Sequence, residues 1–211
     1  MTTLIFVRHG QSEANEKHIF AGHFDVPLTE LGKKQAECTA EFLKNYDIDV
    51  LYSSDLQRAY NTALPIAKAK NLDIIKNSGL REIYAGDWEG AGFDYLESKY
   101  KENYVRWRTD IGNAELQDGE SVKQMSDRFT TEVMSIIQKH EGQTICIATH
   151  ATPIRVFECF AKGLSVTSAK DVPWVTNASV SIYEYDGAFK QILRGENAFQ
   201  GDLVTKLPKN V

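Results

Sequence analysis

The chain of 211 residues carries a formal net charge of −5, with 42% hydrophobic and 25% charged residues, proportions ordinary for a soluble globular protein. A negative balance with no basic stripe argues against a nucleic-acid surface, which needs cations to neutralise a phosphate backbone. It leaves room for a small phosphorylated ligand, which needs only a local cationic pocket.

Four apolar residues, Leu4 to Val7, read as a buried strand. They are too few for a signal segment and have no basic stretch before them. No later run approaches the roughly 18 apolar residues of a membrane span, so a cytoplasmic protein without a membrane partner is expected. Thr29 caps a helix with Leu31, Cys38, Phe42 and Leu43 on its apolar side. Val50 to Tyr52 forms a second strand, followed by a helix with Leu56, Tyr60, Ala63 and Ala67 facing inward. Leu72 to Ile75 is a short third strand. From about Gly86 to Asp118 the alternation breaks into an aromatic, mixed-charge stretch, expected to be a helical insertion or lid. A strong helix opens at Ser121, with Gln124 completing a capping box, and Val122, Met125, Phe129, Val133 and Ile136 keep the helical period. Thr144 to Ala148 is a fourth buried strand. Pro153 suits the first turn of the next helix and Gly163 its end. Val180 to Tyr185 and Phe189 to Leu193, joined through Asp186-Gly187, suit a hairpin. The tail from Gly195 is polar and expected to be irregular. Cys38, Cys146 and Cys159 are odd in number and far apart, which suits core packing.

Strands alternating with helices in one chain without a linker predict a single α/β domain built on parallel βα units. Its strands end on chemistry. The first runs into Arg8-His9-Gly10, the second leads through Ser53-Ser54 to Arg58, and the fourth ends at Thr149-His150. In an open parallel sheet, ligands bind outside the carboxyl ends of the strands. Two arginines and two histidines could therefore face one tetrahedral anion, with arginine forks on its oxygens and the helix start near Thr152 adding its positive end. One imidazole can be a nucleophile, because much of an unperturbed histidine is neutral near pH 7. Glu82, in "LREIYAGDWEG", offers a carboxyl group to protonate a leaving alkoxide and later to activate water. Singly, each residue has a plainer explanation, such as a structural histidine or a solvated arginine; the agreement of three strand ends favours the functional one.

The stretches "VRHGQSEAN" (7–15), "PLTELG" (27–32), "LYSSDLQRAYNTA" (51–63), "LREIYAGDWEG" (80–90), "DGES" (118–121) and "ATHATPIR" (148–155), in this order and spacing, resemble the histidine phosphatase superfamily of phosphoglycerate-mutase-like proteins. The resemblance implies a three-layer α/β/α sandwich with a mostly parallel central sheet and no metal or cofactor. It implies that His9 is transiently phosphorylated, that Arg8, Arg58 and His150 complete a phosphate pocket, and that Glu82 donates the proton. It further implies that Asn15 lines the pocket and that Gly22 contributes backbone.

Departures from the family pattern bear on substrate. Ala21 replaces a glutamine or serine, Ala85 a tyrosine, Ala151 a glycine and Thr152 an asparagine, and Arg108 stands alone where glycolytic mutases carry paired arginines. The changes at Ala21, Ala85, Arg108 and Thr152 remove contacts to a phosphoglycerate, so the resemblance favours a phosphatase of small phosphorylated metabolites over a cofactor-dependent phosphoglycerate mutase. A non-enzymatic phosphate-binding module is the third alternative, although the two histidines, two arginines and the acid are all present. Specificity would come from the insertion, where Phe93, Tyr95, Tyr100, Tyr104, Trp107 and Arg108 are candidates both for lid core and for contact with the leaving group. A homodimer is left open.

Overall fold

The computed structural model describes residues 1–206. A six-stranded sheet runs in the order β3-β2-β4-β1-β5-β6. Its strands are β1 (Thr2–Arg8), β2 (Val50–Ser53), β3 (Ile74–Lys76), β4 (Thr144–Thr149), β5 (Val180–Tyr185) and β6 (Phe189–Glu196). The β1–β4, β4–β2 and β2–β3 pairings are parallel; β5 alone runs against its neighbours. The period of two along a strand sends alternate side chains to opposite faces. Leu4 and Phe6 therefore join one core with the inner faces of α6 (Val122–Lys139) and α7 (Ala151–Ala161), whereas Ile5 and Val7 join another with α2 (Glu30–Phe42) and α3 (Gln57–Lys70). The result is the expected α/β/α sandwich with a mostly parallel sheet.

Several local expectations are met. Ser121 and Gln124 form the capping box of α6, Thr29 caps α2 by accepting from the Gly32 N–H at 3.0 Å, and the hairpin turns through Asp186-Gly187. Between 86 and 118 lie α4 (Phe93–Lys99) and α5 (Lys101–Thr109), whose buried Leu96, Tyr104 and Trp107 join the first core. All three cysteines are free; Cys146 and Cys159 are buried, while Cys38 lies at the core's margin. Among the described residues no helix is long and apolar enough to cross a membrane.

Other expectations need correction. The buried face of α2 is Gly32, Gln35, Ala36, Thr39 and Ala40, not the stripe through Leu31, Cys38 and Phe42. This face covers polar backbone near the sheet's carboxyl edge. Gln35 accepts from the Gln11 N–H at 2.8 Å, and Thr39 donates to the Ala178 carbonyl at 2.8 Å. On α3, Tyr60 is half-exposed beneath the Lys76 ammonium, 4.0 Å from its ring centroid, and Arg58 is buried in its stead. β3 starts at Ile74, not Leu72, because Asn71 closes α3 in a left-handed conformation (φ 54°) and the Leu72 N–H turns back to Ala67. β6 continues to Glu196, where the sequence suggests an irregular tail from Gly195. Helical turns over Ala198–Leu203 then bring Phe199 to stack on Phe42, their centroids 4.4 Å apart. The end of that tail, 207–211, lies outside the described residues.

Register places the site. Arg8 pairs with Thr149 across β1 and β4, and Ser53 pairs with Ala148 across β2 and β4. Three strands thus end level with one another, and His9, Ser54 and His150 follow at one rim. The turn after β1 is held by close contact between two glycines. A Cβ on Gly10 would collide with the Gly32 carbonyl, and a Cβ on Gly32 with the Gln11 carbonyl. Both obstacles are backbone and cannot rotate away. Gly32→Ala is therefore expected to lower unfolding free energy by about 1–3 kcal/mol, measured by urea denaturation. Stability equal to wild type would show that the turn at Gly10 is not held by this contact.

Candidate active site

At that rim lies an open cavity with ≈ 110 Å³ of space for the centres of water-sized spheres. Arg8, His9, Asn15, Ala21, Gly22, Arg58, Glu82 and Ala151 all line it, so eight of the ten residues singled out from the sequence meet there. His150 stands behind His9, fully buried, its ring centroid 5.2 Å from that of His9 at 61°. Arg108 is the exception. It sits on α5 within 3.8 Å of the Glu97 carboxylate and is not among the lining residues. The sequence offers it as a substrate contact, and the structure pairs it with an acidic neighbour.

His9 extends directly from β1. Its Nδ1 lies 2.7 Å from the Gly10 carbonyl, so Nδ1 carries the proton and donates, and the lone pair resides on Nε2. Nε2 has no partner among the described residues. Two donors grip the His9 backbone carbonyl: the Ala178 N–H at 3.1 Å and Asn177 Nδ2 at 3.1 Å. Burial, reinforced by the Arg58 and Arg8 charges, pushes the His9 imidazole well below its ordinary pKa of 6.5. It is neutral at pH 7, with a free lone pair directed at the cavity.

Arg58 enters from the first turn of α3. It donates to the Gly22 carbonyl at 2.7 Å and the Phe24 carbonyl at 3.2 Å, and its buried Nε has no partner. Arg8 donates through one terminal nitrogen to the Val175 carbonyl at 2.5 Å, and its buried Nε is also unpartnered. Burial lowers both guanidinium pKa values to about 10, with the nearby Glu82 carboxylate opposing the shift. Both stay charged at neutral pH. Two desolvated cations with unspent N–H groups on one cavity are incomplete without an anion.

His150 begins α7. Its Nε2 lies 2.9 Å from the Ser54 hydroxyl, and its buried Nδ1 is unpartnered. Burial and the Arg58 charge push it well below 6.5. Ala151 follows as the first residue of α7, where an N–H has no intrahelical acceptor. Asn15 spends its carbonyl oxygen inward on Ser12 N–H, Ser12 hydroxyl and Asn177 Nδ2 at 3.0–3.1 Å. Its own amide donors remain for the cavity. At Gly22, with φ of 53°, a Cβ would lie 2.7 Å from the Ala85 side chain and 2.8 Å from Glu89. Glycine here lets backbone line the wall. Glu82 accepts from the Ile83 N–H at 2.9 Å and the Thr152 N–H at 3.3 Å. Its loop is clamped by Arg128, which donates to the Gly79, Arg81 and Glu82 carbonyls and to both oxygens of Glu120.

Two residues of consequence have no role assigned from the sequence. Thr62, inside the quoted stretch 51–63, accepts from the Gly10 N–H at 2.9 Å and donates to the Arg58 carbonyl at 2.7 Å, tying the strand-end turn to α3. Asn177, which lies outside every quoted stretch, is 4% exposed and holds His9 and Asn15 together. Its signal is topological: β5 is antiparallel to β1, so the loop entering β5 must pass the point where β1 exits. Chemically, the set offers a neutral imidazole nucleophile, cationic donors for the oxygens of a tetrahedral anion, and a carboxyl group on the same cavity.

The sequence matches the histidine phosphatase superfamily (branch 1) over residues 4–198. It is 38% identical over 167 residues to phosphoserine phosphatase 1 of Hydrogenobacter thermophilus, covering 79% of each chain. Among solved structures, YhfR of Bacillus stearothermophilus superposes with a TM-score of 0.91 at 28% identity, over 95% of this chain and 100% of that one. A mycobacterial glucosyl-3-phosphoglycerate phosphatase in complex with VO3 superposes at 0.85 with 25% identity, over 90% and 97%.

The depressed imidazoles of His9 and His150, with that of the half-buried His23 to a lesser degree, make stability depend on pH. Above pH 6.5 they are neutral in both the native and the unfolded chain and contribute no slope. Below it the unfolded chain takes up protons that the native state refuses, so stability falls as pH drops. Between pH 6.5 and 5.5 His9 and His150 each account for about 1 kcal/mol of that loss. His9→Ala is expected to reduce the fall by about that amount in urea titrations. Parallel curves for the two proteins would contradict the assigned protonation.

Proposed function

The chain belongs to the histidine phosphatase superfamily, and on that premise we propose that it is a metal-independent phosphatase acting on small phosphate monoesters through a phosphohistidine. The observation that carries the proposal is the tautomer of His9, with Nδ1–H spent on Gly10 and Nε2 open to a cavity shared with two incompletely bonded guanidiniums.

The ester's phosphoryl group occupies the floor, where Arg8, Arg58, His150 and the Asn15 amide donate to its non-bridging oxygens. A neutral nucleophile meets no charge repulsion from a phosphate dianion. His9 Nε2 bonds to phosphorus as the P–O bond to the alcohol breaks, and the arginines hold the charge spread over the equatorial oxygens. Glu82, in its protonated form, gives its proton to the departing alkoxide, which leaves as alcohol. Its carboxylate then takes a proton from water, whose oxygen bonds to phosphorus while the N–P bond breaks. Free phosphate and neutral His9 are restored. The Thr152 N–H at the start of α7 and the clamp of Arg128 keep the carboxyl group in place for both steps.

Hydrolysis is preferred to mutase transfer because Arg8 and Arg58 are the only cations lining the cavity among the described residues, and both serve the single phosphoryl site. A mutase must also retain a second charged group of its phosphoglycerate.

Brief exposure to a 32P-labelled phosphate ester is expected to leave an acid-labile, base-stable label on the wild-type protein and none on His9→Ala. Retention of label by the variant would displace His9 as nucleophile. Activity is expected to persist in excess EDTA. Glu82→Gln is expected to lower kcat about 10²–10⁴-fold for alkyl esters and far less for 4-nitrophenyl phosphate, whose leaving group needs no proton. Equal losses for the two would remove Glu82 from the role of acid. Conversion of 3-phosphoglycerate to 2-phosphoglycerate with a trace of 2,3-bisphosphoglycerate and little free phosphate would favour the mutase reading.

A further inference from the structure

The cavity is sharply divided by chemistry. Its floor holds the groups that would engage a phosphoryl unit, and the rest of its lining is mainly apolar: Ile19, Phe20, Phe93, Tyr104, Trp107 and Trp174, with the methyl groups of Ala21 and Ala151 between and Ser12 and Thr152 as the uncharged polar residues. The wall is a packed construction. The Phe20 and Trp107 rings meet edge-on with centroids 5.0 Å apart, and Trp107 and Trp174 lie 6.3 Å apart. The Arg155 guanidinium carbon sits 4.2 Å from the Trp174 ring centroid, and the Nε of that arginine is buried without a partner. Arg155 is not among the lining residues, so its charge is spent behind the indole, not offered to a ligand.

Arg108 on α5 is directed at Glu97, and Lys99, Lys101 and Arg106 of α4 and α5 are not among the lining residues. A carboxylate on the leaving group would enter this upper cavity without a cationic partner and lose hydration. An apolar ring would instead bury its faces against three or four aromatic side chains.

Resting on the phosphatase reading, the geometry points to a substrate class: monophosphate esters of neutral alcohols that carry an apolar or aromatic ring, with carboxylate-bearing alcohols discriminated against. Phe20, Phe93, Trp107 and Trp174 determine that specificity, and Arg155 acts as a positioning residue for Trp174.

Three alkyl esters of similar leaving-group basicity test this: propyl phosphate, 3-phenylpropyl phosphate and 2-carboxyethyl phosphate. The expected order of kcat/KM places the phenyl ester about 10–100-fold above the propyl ester, as burial of one ring provides, and the carboxylate ester at or below the propyl ester. Trp174→Ala is expected to bring the phenyl-to-propyl ratio down toward one. Phe93→Arg, on the half-buried start of α4, is expected to raise the carboxylate ester relative to propyl about tenfold. A wild-type preference for the carboxylate ester, or a phenyl-to-propyl ratio near one, overturns the inference while leaving hydrolysis intact. If none of the esters is hydrolysed, the phosphatase reading fails. Calorimetric binding of the three matching phosphonates then decides the leaving-group preference by the same order.

Discussion

The constraint on which the rest of this structure depends is a concentration of positive charge withdrawn from water. Arg8 and Arg58 are each almost fully buried at the edge of a sheet, and each keeps a guanidinium N–H without an acceptor. Leaving such groups unpaired costs a folded protein several kcal/mol. The fold bears that cost by supplying carbonyls of Gly22, Phe24 and Val175 as partial acceptors and one carboxylate, Glu82, as a nearby counter-charge. The same field keeps both imidazoles neutral. On the proposed reading, a dianion at this place would satisfy the unpaired donors and relieve the repulsion at once.

Holding that cluster in place is a task shared among elements distant in sequence. The level ending of β1, β2 and β4 sets its plane, and the Gly10–Gly32 contact sets the turn from which His9 projects. Thr62 links that turn to the helix that carries Arg58. On the other side, Asn177 and Ala178 both donate to the His9 carbonyl. Ala178 does so from a left-handed conformation with φ of 54°, unfavourable for a residue with a Cβ. The strain lies beside the reacting ring, where surrounding contacts enforce it, as Thr39 does by donating to the Ala178 carbonyl.

Much of this was legible before any coordinates. Strand ends followed by Arg-His-Gly, Ser-Ser and Thr-His could be placed at one rim because parallel βα topology leaves few alternatives, and the capping signals at Thr29 and Ser121 marked helix starts through a local hydrogen bond. What the pattern hid was polar burial. Gln35 and Thr39 look like surface residues of an amphipathic helix, yet they face inward because the loop they cover has backbone groups in need of partners. Hydrophobic periodicity cannot see such a face. Asn177 was hidden for another reason: its importance comes from which strand neighbours β1, a long-range fact that no local signal carries. The pairing of Arg108 with Glu97 was equally hidden, because one turn of helix decides which neighbour a side chain meets.

The division of the cavity into a charged floor and an aromatic wall has a consequence for how such a fold can change substrates. Floor residues come from strand ends and helix starts of the sandwich, where register and backbone contact leave little freedom. Apart from Phe20, the large aromatic side chains of the wall come from the insertion and from the loop around Trp174, and Trp107 packs against both Phe20 and Trp174. Substitution in the wall can alter the leaving group accepted without disturbing the register that places His9 beside Arg8 and Arg58. On the proposed reading, transfer chemistry and recognition are thus physically separable here, because the charged floor and the aromatic wall are carried by different elements.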